Sequence, residues 1–264
     1  MSLSLENGSV IVNNKELLRD VSISCGKGQL VCILGENGAG KSTLLNAVAG
    51  QRPLSGGQVL LDGEPIETFT SRELAQRRAV LPQSVELTFP LDVAEVVRLA
   101  LCFAPISLDT QDVLIEQCLK TFSVSHLIER NYLNLSGGEK QRVQLARVVA
   151  QIRANQLHYD RVHQYLLLDE PIAALDLHQQ YTALKAIKEL CDDGLCVVAI
   201  LHDLNIASLF ADTIYILKGG QLLSSGSPKA VISEDNIKAA FSLDAVIKPH
   251  PEIDTPMVIP RIKD

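Results

Sequence analysis

Nine consecutive residues, Gly35-Glu36-Asn37-Gly38-Ala39-Gly40-Lys41-Ser42-Thr43, have the composition and spacing of a loop that wraps phosphate. Gly35 and Gly40 bracket four residues, and a lysine and a hydroxyl follow at once. Glycines at 35, 38 and 40 allow the backbone to curl so that successive N–H groups converge on phosphate oxygens. A helix leaving such a loop adds the positive end of its dipole. Lys41 then suits the β- and γ-phosphates of a nucleoside triphosphate, and the Ser42 hydroxyl suits a Mg²⁺ ion. An apolar run, Leu30-Val31-Cys32-Ile33-Leu34, enters the loop, and helix-prone residues 42–49 leave it. That strand-loop-helix context leads us to expect nucleoside triphosphate binding.

Two further stretches carry chemistry. Tyr165-Leu166-Leu167-Leu168-Asp169-Glu170-Pro171 sets two carboxylates at the carboxyl end of an apolar strand. Ligands in open α/β sheets bind at that edge. Asp169 suits the Mg²⁺ ion through a bound water, and Glu170 suits polarisation of an attacking water. Leu135-Ser136-Gly137-Gly138-Glu139 opens a helix with a serine and two glycines, a second anion site. The same residues also read as a capping box, Ser136 with Glu139. Two phosphate-type sites separated by helices suggest a homodimer. Ser136, Gly137 and Gly138 of one protomer would complete the nucleotide held by the other.

The surrounding pattern fits one α/β fold. Residues 3–12 and 21–25 alternate as half-exposed antiparallel strands, and Gln58-Val59-Leu60-Leu61 leads into a hairpin signal at Asp62-Gly63. A helix is expected at 71–78, with its cap near Ser71, and a strand at 79–81. Residues 88–160 carry helical spacing only, so a helical subdomain is inserted there. Strands at 165–168, 195–201 and 213–217 then alternate with helices at 177–191 and 204–210, which predicts a mostly parallel central sheet. From about residue 233 a short C-terminal extension holds one or two helical turns and a proline-rich end. With 264 residues the chain is expected to be one domain, 1–264, that buries a substantial core. Its net charge of −7 argues against a nucleic acid partner. Six scattered cysteines read as small core residues. The chain starts without an export signal, and no apolar run reaches the roughly 20 residues of a spanning helix. A soluble, cytoplasmic protein is expected.

Taken in order, these motifs resemble those of ABC transporter ATPases along essentially the whole chain. The resemblance implies a P-loop NTPase fold, ATP and Mg²⁺ as ligands, and ATP hydrolysis coupled to transport. It assigns residues 35–43 to ATP, Gln83 to the glutamine loop beside the metal, and Ser136 to Gly138 to the signature. It further assigns Asp169 to Mg²⁺, Glu170 to the general base, Asp176 to the segment after the base, and His202, in Leu201-His202-Asp203, to the switch histidine. Two departures stand out. Val10-Ile11-Val12-Asn13 offers no aromatic for adenine, and Ile172 replaces the usual threonine after Asp-Glu-Pro.

A finer resemblance is to importer ATPases for iron chelates, hemin and cobalamin. It rests on Asp92-Val93-Ala94-Glu95-Val96-Val97, His202-Asp203-Leu204-Asn205 and Lys218-Gly219-Gly220. The polar connection 153–164 and the tail 249–260 are most similar to hemin-importer members. This implies two integral membrane permease subunits, a periplasmic or extracellular substrate-binding protein, and a place on the cytoplasmic face of the inner membrane. Ferric-siderophore or cobalamin import, or soluble Fe–S assembly, are the alternatives. His158, His163 and His250 read as solvated loop histidines, because such a subunit need not touch cargo.

Overall fold

The computed structural model describes residues 2–102, 104–159 and 163–262. In chain order these begin with β1 (Ser2–Val12), β2 (Lys15–Gly26), β3 (Leu30–Leu34), α1 (Lys41–Val48), β4 (Gly56–Leu61) and β5 (Glu64–Pro65). Next come α2 (Ser71–Arg77), β6 (Arg78–Leu81), α3 (Val93–Arg98), α4 (Leu108–Thr121), α5 (Gly137–His158), β7 (Tyr165–Asp169) and α6 (Leu177–Asp192). The chain finishes with β8 (Cys196–Ile200), α7 (Leu204–Phe210), β9 (Thr213–Lys218), β10 (Gln221–Gly226), α8 (Pro228–Val231), α9 (Glu234–Phe241), β11 (Ala245–Pro249) and β12 (Pro256–Pro260). They form two compact units, one from residues up to 68 and from 196 onward, the other from residues 69–195.

In the first unit β3 is apolar at every position and fully buried, as expected of a strand covered on both faces. It runs parallel to β8 on one side and β9 on the other, and β10 pairs antiparallel with β9. The expected antiparallel layer is a four-stranded sheet in the order β2-β1-β4-β5. Asn13 (φ 48°) and Asn14 (φ 61°) turn β1 into β2, and Asp62 (φ 54°) with Gly63 (φ 85°) turns β4 into β5. Asparagine, aspartate and glycine tolerate those left-handed angles, which match the twist of a hairpin.

The second unit pairs β6 with β7 in parallel and adds the helices α2 to α6. Its spine is the 22-residue α5. Gln151 donates to the carbonyls of Ala75 (2.9 Å) and Arg78 (3.1 Å), and Asn155 to Ala75 (3.0 Å). These bonds fasten the C-terminal half of α5 to the α2–β6 junction. Helix starts are well marked: α2 and α3 both open on capping boxes, Thr70 with Glu73 and Asp92 with Glu95. The α2 cap is thus Thr70, one residue before the serine that the sequence suggested. Helix α5 continues through His158, so the connection 153–164 is helical over its first part. Residues 160–162 of it lie outside the described residues.

The tail departs from expectation. After α9, residues 245–260 form an antiparallel hairpin, β11 with β12. His250 organises its loop by accepting from the N–H groups of Glu252 and Ile253 at its Nδ1, both at 3.2 Å. Among the described residues no cluster of His, Cys, Asp and Glu could hold a metal ion, and no helix is long and apolar enough to cross a membrane.

Of the six cysteines, Cys102 alone is exposed, and burial pushes the Cys118 thiol up to about 11. A disulfide-exchange reagent at neutral pH should therefore titrate one thiol in the native protein and all six in denaturant. Rapid native reaction of more than one thiol would contradict the core described above.

Candidate functional site

In the first unit the phosphate loop springs from the carboxyl end of β3. Gly35 (φ 150°) could not be replaced there, because a Cβ would lie 2.3 Å from the Leu217 carbonyl oxygen. The loop's far end, Gly40 (φ 103°), is the N-cap of α1. A turn after β9 props the middle, since Gly220 N–H donates to the Ala39 carbonyl at 3.0 Å. Arg19 N–H donates in turn to the Gly220 carbonyl at 2.9 Å. Glu36, Asn37 and Gly38 are exposed, so the loop's mouth faces outward.

Lys41 is only 6% exposed and arches back over the loop, its ammonium donating to the carbonyls of Gly35 (2.8 Å) and Glu36 (3.0 Å). Ser42 and Thr43 occupy the first turn of α1, where no side chain caps the helix and no acidic residue stands. The backbone amides of the first helical turn, a dipole end and a buried ammonium make a site for a polyanion.

His202 belongs to the same edge. The last rung of the β3–β8 ladder pairs Ile33 with Ile200, and Leu201 N–H donates to the Ile33 carbonyl at 3.3 Å. His202 and Gly35 therefore leave neighbouring parallel strands at the same end, and His202 is exposed there. This is the strand edge where α/β ligands bind.

The second unit gathers the remaining residues in the same manner. Leu81 pairs with Leu168, so Gln83 leaves β6 at the end where Asp169 and Glu170 leave β7. Asp169 is 4% exposed, whereas Gln83 is exposed and Glu170 half-buried. Glu170 adopts φ 51°, a left-handed conformation that glutamate seldom takes and that occurs at functional sites. Gln141, on the second turn of α5, donates to its carbonyl at 3.3 Å.

Ser136 caps α5 with the reciprocal bonds of a capping box. Glu139 N–H donates to Ser136 Oγ (3.4 Å), while the Glu139 carboxylate accepts from Ser136 N–H (2.8 Å) and hydroxyl (2.7 Å). Those two bonds from Ser136, the hydroxyl's first, hold the Glu139 carboxyl below its ordinary range. The segment after Glu170 packs on this helix start. A Cβ on Gly138 would lie 3.0 Å from the Ala174 carbonyl oxygen, a close approach that favours glycine. Asp176 caps α6 by accepting from Gln179 N–H at 2.9 Å. Ser136, Gly137, Gly138, Ala174 and Asp176 thus lie together. Ile172, where the family usually has threonine, is buried.

Mg²⁺ prefers hard oxygen donors and few protein ligands. The Ser42 hydroxyl, the Asp169 carboxylate and the Gln83 amide oxygen fit that preference, each at a strand's carboxyl end or in the helix turn after it. Sequence reasoning missed the props: Gly220 under the loop, Gln141 behind Glu170, and Arg19 beyond Gly220. Each is a contact between segments distant in sequence, which no local pattern marks.

Comparison with known proteins gives one consistent result. Residues 18–173 match the family described as ABC transporter. The hemin import ATP-binding protein HmuV of Hahella chejuensis is 43% identical over 253 residues, covering 95% of this chain and 96% of that protein. The protein of the same name from Rhizobium meliloti is 38% identical, covering 96% of each. Among solved structures, a dimeric bacterial ABC transporter cassette is 27% identical with TM-score 0.74, over 85% of this chain and 98% of that one. A chain of an ABC transporter in an inward-facing conformation, 23% identical, has the same fold with TM-score 0.79, over 99% and 97%.

Proposed function

Because this chain belongs to the ABC transporter ATPase family, we propose that it is the ATP-hydrolysing, energy-coupling subunit of a hemin importer. The observation that carries this reading is likeness over whole chains, 95% and 96%, to a protein named for hemin import. In this reading the chain works as a homodimer on the cytoplasmic face of the inner membrane, beneath two permease subunits that a substrate-binding protein supplies.

Each residue then has a role. The backbone amides of residues 35–43 and the Lys41 ammonium hold the ATP phosphates, and the second protomer's Ser136, Gly137 and Gly138 close over the γ-phosphate. Ser42, Asp169 and Gln83 would hold Mg²⁺, which would supply positive charge against the phosphate oxygens. Glu170 accepts a proton as water attacks: the new bond joins water oxygen to the γ-phosphorus, and the bond to the β-bridging oxygen breaks. His202 steadies the γ-phosphate, and Asp176 holds the segment that meets the partner protomer. Shared binding of ATP favours the closed dimer, and hydrolysis reopens it.

A groove of about 340 Å³ in the second unit suits the membrane partner. Val85, Leu87 and Leu99 line it together with Glu86, Gln144 and Arg147. Leu99 is 54% exposed. Gln144 sits in a bonded row beneath, donating to Tyr132 Oη (2.9 Å) and accepting from Arg147 Nε (2.6 Å). An apolar helix end from a permease would bury Leu99 there. Leu99→Glu should leave the basal ATPase rate of the purified subunit within about twofold, as exposed substitutions do. It should abolish stimulation by permease in proteoliposomes, and unchanged stimulation would remove this groove from the pathway.

The cargo is tested in the same vesicles, with the neighbouring permease and binding protein reconstituted. Hemin should stimulate ATP hydrolysis, and stimulation by a ferric siderophore or cobalamin in its place would overturn the cargo assignment.

A further inference from the structure

The C-terminal hairpin is bonded to the helix that starts beside His202. Asn205 and Ser208 are one turn apart on α7, hence on one face. Asn205 Nδ2 donates to the Val258 carbonyl at 3.2 Å, and Val258 N–H donates to Asn205 Oδ1 at 2.7 Å. The Ser208 hydroxyl, itself buried, donates to the Pro256 carbonyl at 2.6 Å. Through one N–H and its oxygen the asparagine amide pairs with Val258 as a neighbouring strand residue would.

The sequence of β12 suits this use. Val258 turns both backbone groups to Asn205, so in the pleat residues 256, 258 and 260 face α7 while 257 and 259 face β11. Residues 256 and 260 are prolines and have no N–H. Val258 therefore carries the only N–H on that edge of β12, and Asn205 takes it. The hairpin is fastened in turn to its own unit. Arg261 N–H donates to the Asp244 carbonyl at 2.8 Å, Arg261 pairs with Glu234 at 3.3 Å, and Lys229 pairs with Asp254.

His202 lies between two anchors. Leu201 is bonded to β3, and Asp203 caps α7 by accepting from the N–H groups of Asn205 (2.7 Å) and Ile206 (2.9 Å). Strand β3 is buried and fixed. Helix α7 has seven residues, too few to hold a direction without packing. We infer that the C-terminal hairpin, through the paired bonds of Asn205 with Val258, sets the direction of α7 and so positions His202 for ATP hydrolysis. Asn205 is a positioning residue, and this inference rests on the catalytic role given above to His202.

The test uses the purified full-length chain. Asn205→Ala should lower kcat about tenfold with nucleotide Kd changed less than about twofold, since misplacing a catalytic group costs rate rather than binding. Val258→Pro, which removes the N–H without touching α7, should do the same. In a His202→Ala background Asn205→Ala should cost nothing further, because residues acting through one another are not additive. Full additivity, or parental kcat in both folded single variants, would overturn the inference. Hydrogen exchange keeps the two readings apart: amides of residues 204–210 should exchange faster in Asn205→Ala. If His202→Ala left turnover intact, the histidine's role would fall. The hairpin's hold on α7 would still be judged by exchange, and unchanged exchange rates there would end it.

Discussion

Glu170→Gln is expected to lower ATP turnover by about 10²- to 10⁴-fold, the usual span for loss of a general base, while nucleotide binding survives. The amide has the shape of the carboxylate, so the turn at residue 170 and the bond from Gln141 to its carbonyl can persist. What disappears is the group proposed to take the proton from water. ATP should then accumulate uncleaved in a dimer that size-exclusion chromatography separates from monomer. Phosphate release at the parental rate would show that another residue accepts the proton.

Lys41→Ala acts one step earlier. Hydrogen bonds to charged groups contribute roughly 1.5–3 kcal/mol, so nucleotide affinity should fall by about 10- to 100-fold. The substitution also strips the Gly35 and Glu36 carbonyls of the ammonium that now draws them together, at 2.8 and 3.0 Å. The loop should lose its curl along with its charge. Titration with a fluorescent nucleotide gives the affinity directly, and a value within twofold of the parent would remove Lys41 from the phosphate site.

The parts of the molecule legible in sequence were those decided by neighbours along the chain. A loop of glycines before a lysine needs a particular backbone, and residues 35–43 declare it without reference to anything distant. Apolar β3 and β7 announce burial on both faces, and Asp62-Gly63 announces its turn. The cap at Ser136, with Glu139 three residues on, is likewise a local pattern, whereas the cap at Asp176 was not read from sequence. What stayed hidden depends on partners far away in sequence. Nothing near Gly220 says that its amide supports Ala39, and nothing near Asn205 says that Val258 will meet it fifty-three residues later. The hairpin was missed because Pro249-His250-Pro251 reads as irregular, whereas His250 shapes a compact loop between paired strands.

With Glu170 as the proposed base, its left-handed backbone would set heat resistance against catalysis at a single codon. For a residue with a Cβ that conformation costs about 1–2 kcal/mol, which glycine would not incur. Screening variants for heat tolerance alone would therefore drift toward glycine at this position and return a sturdier protein that no longer splits ATP.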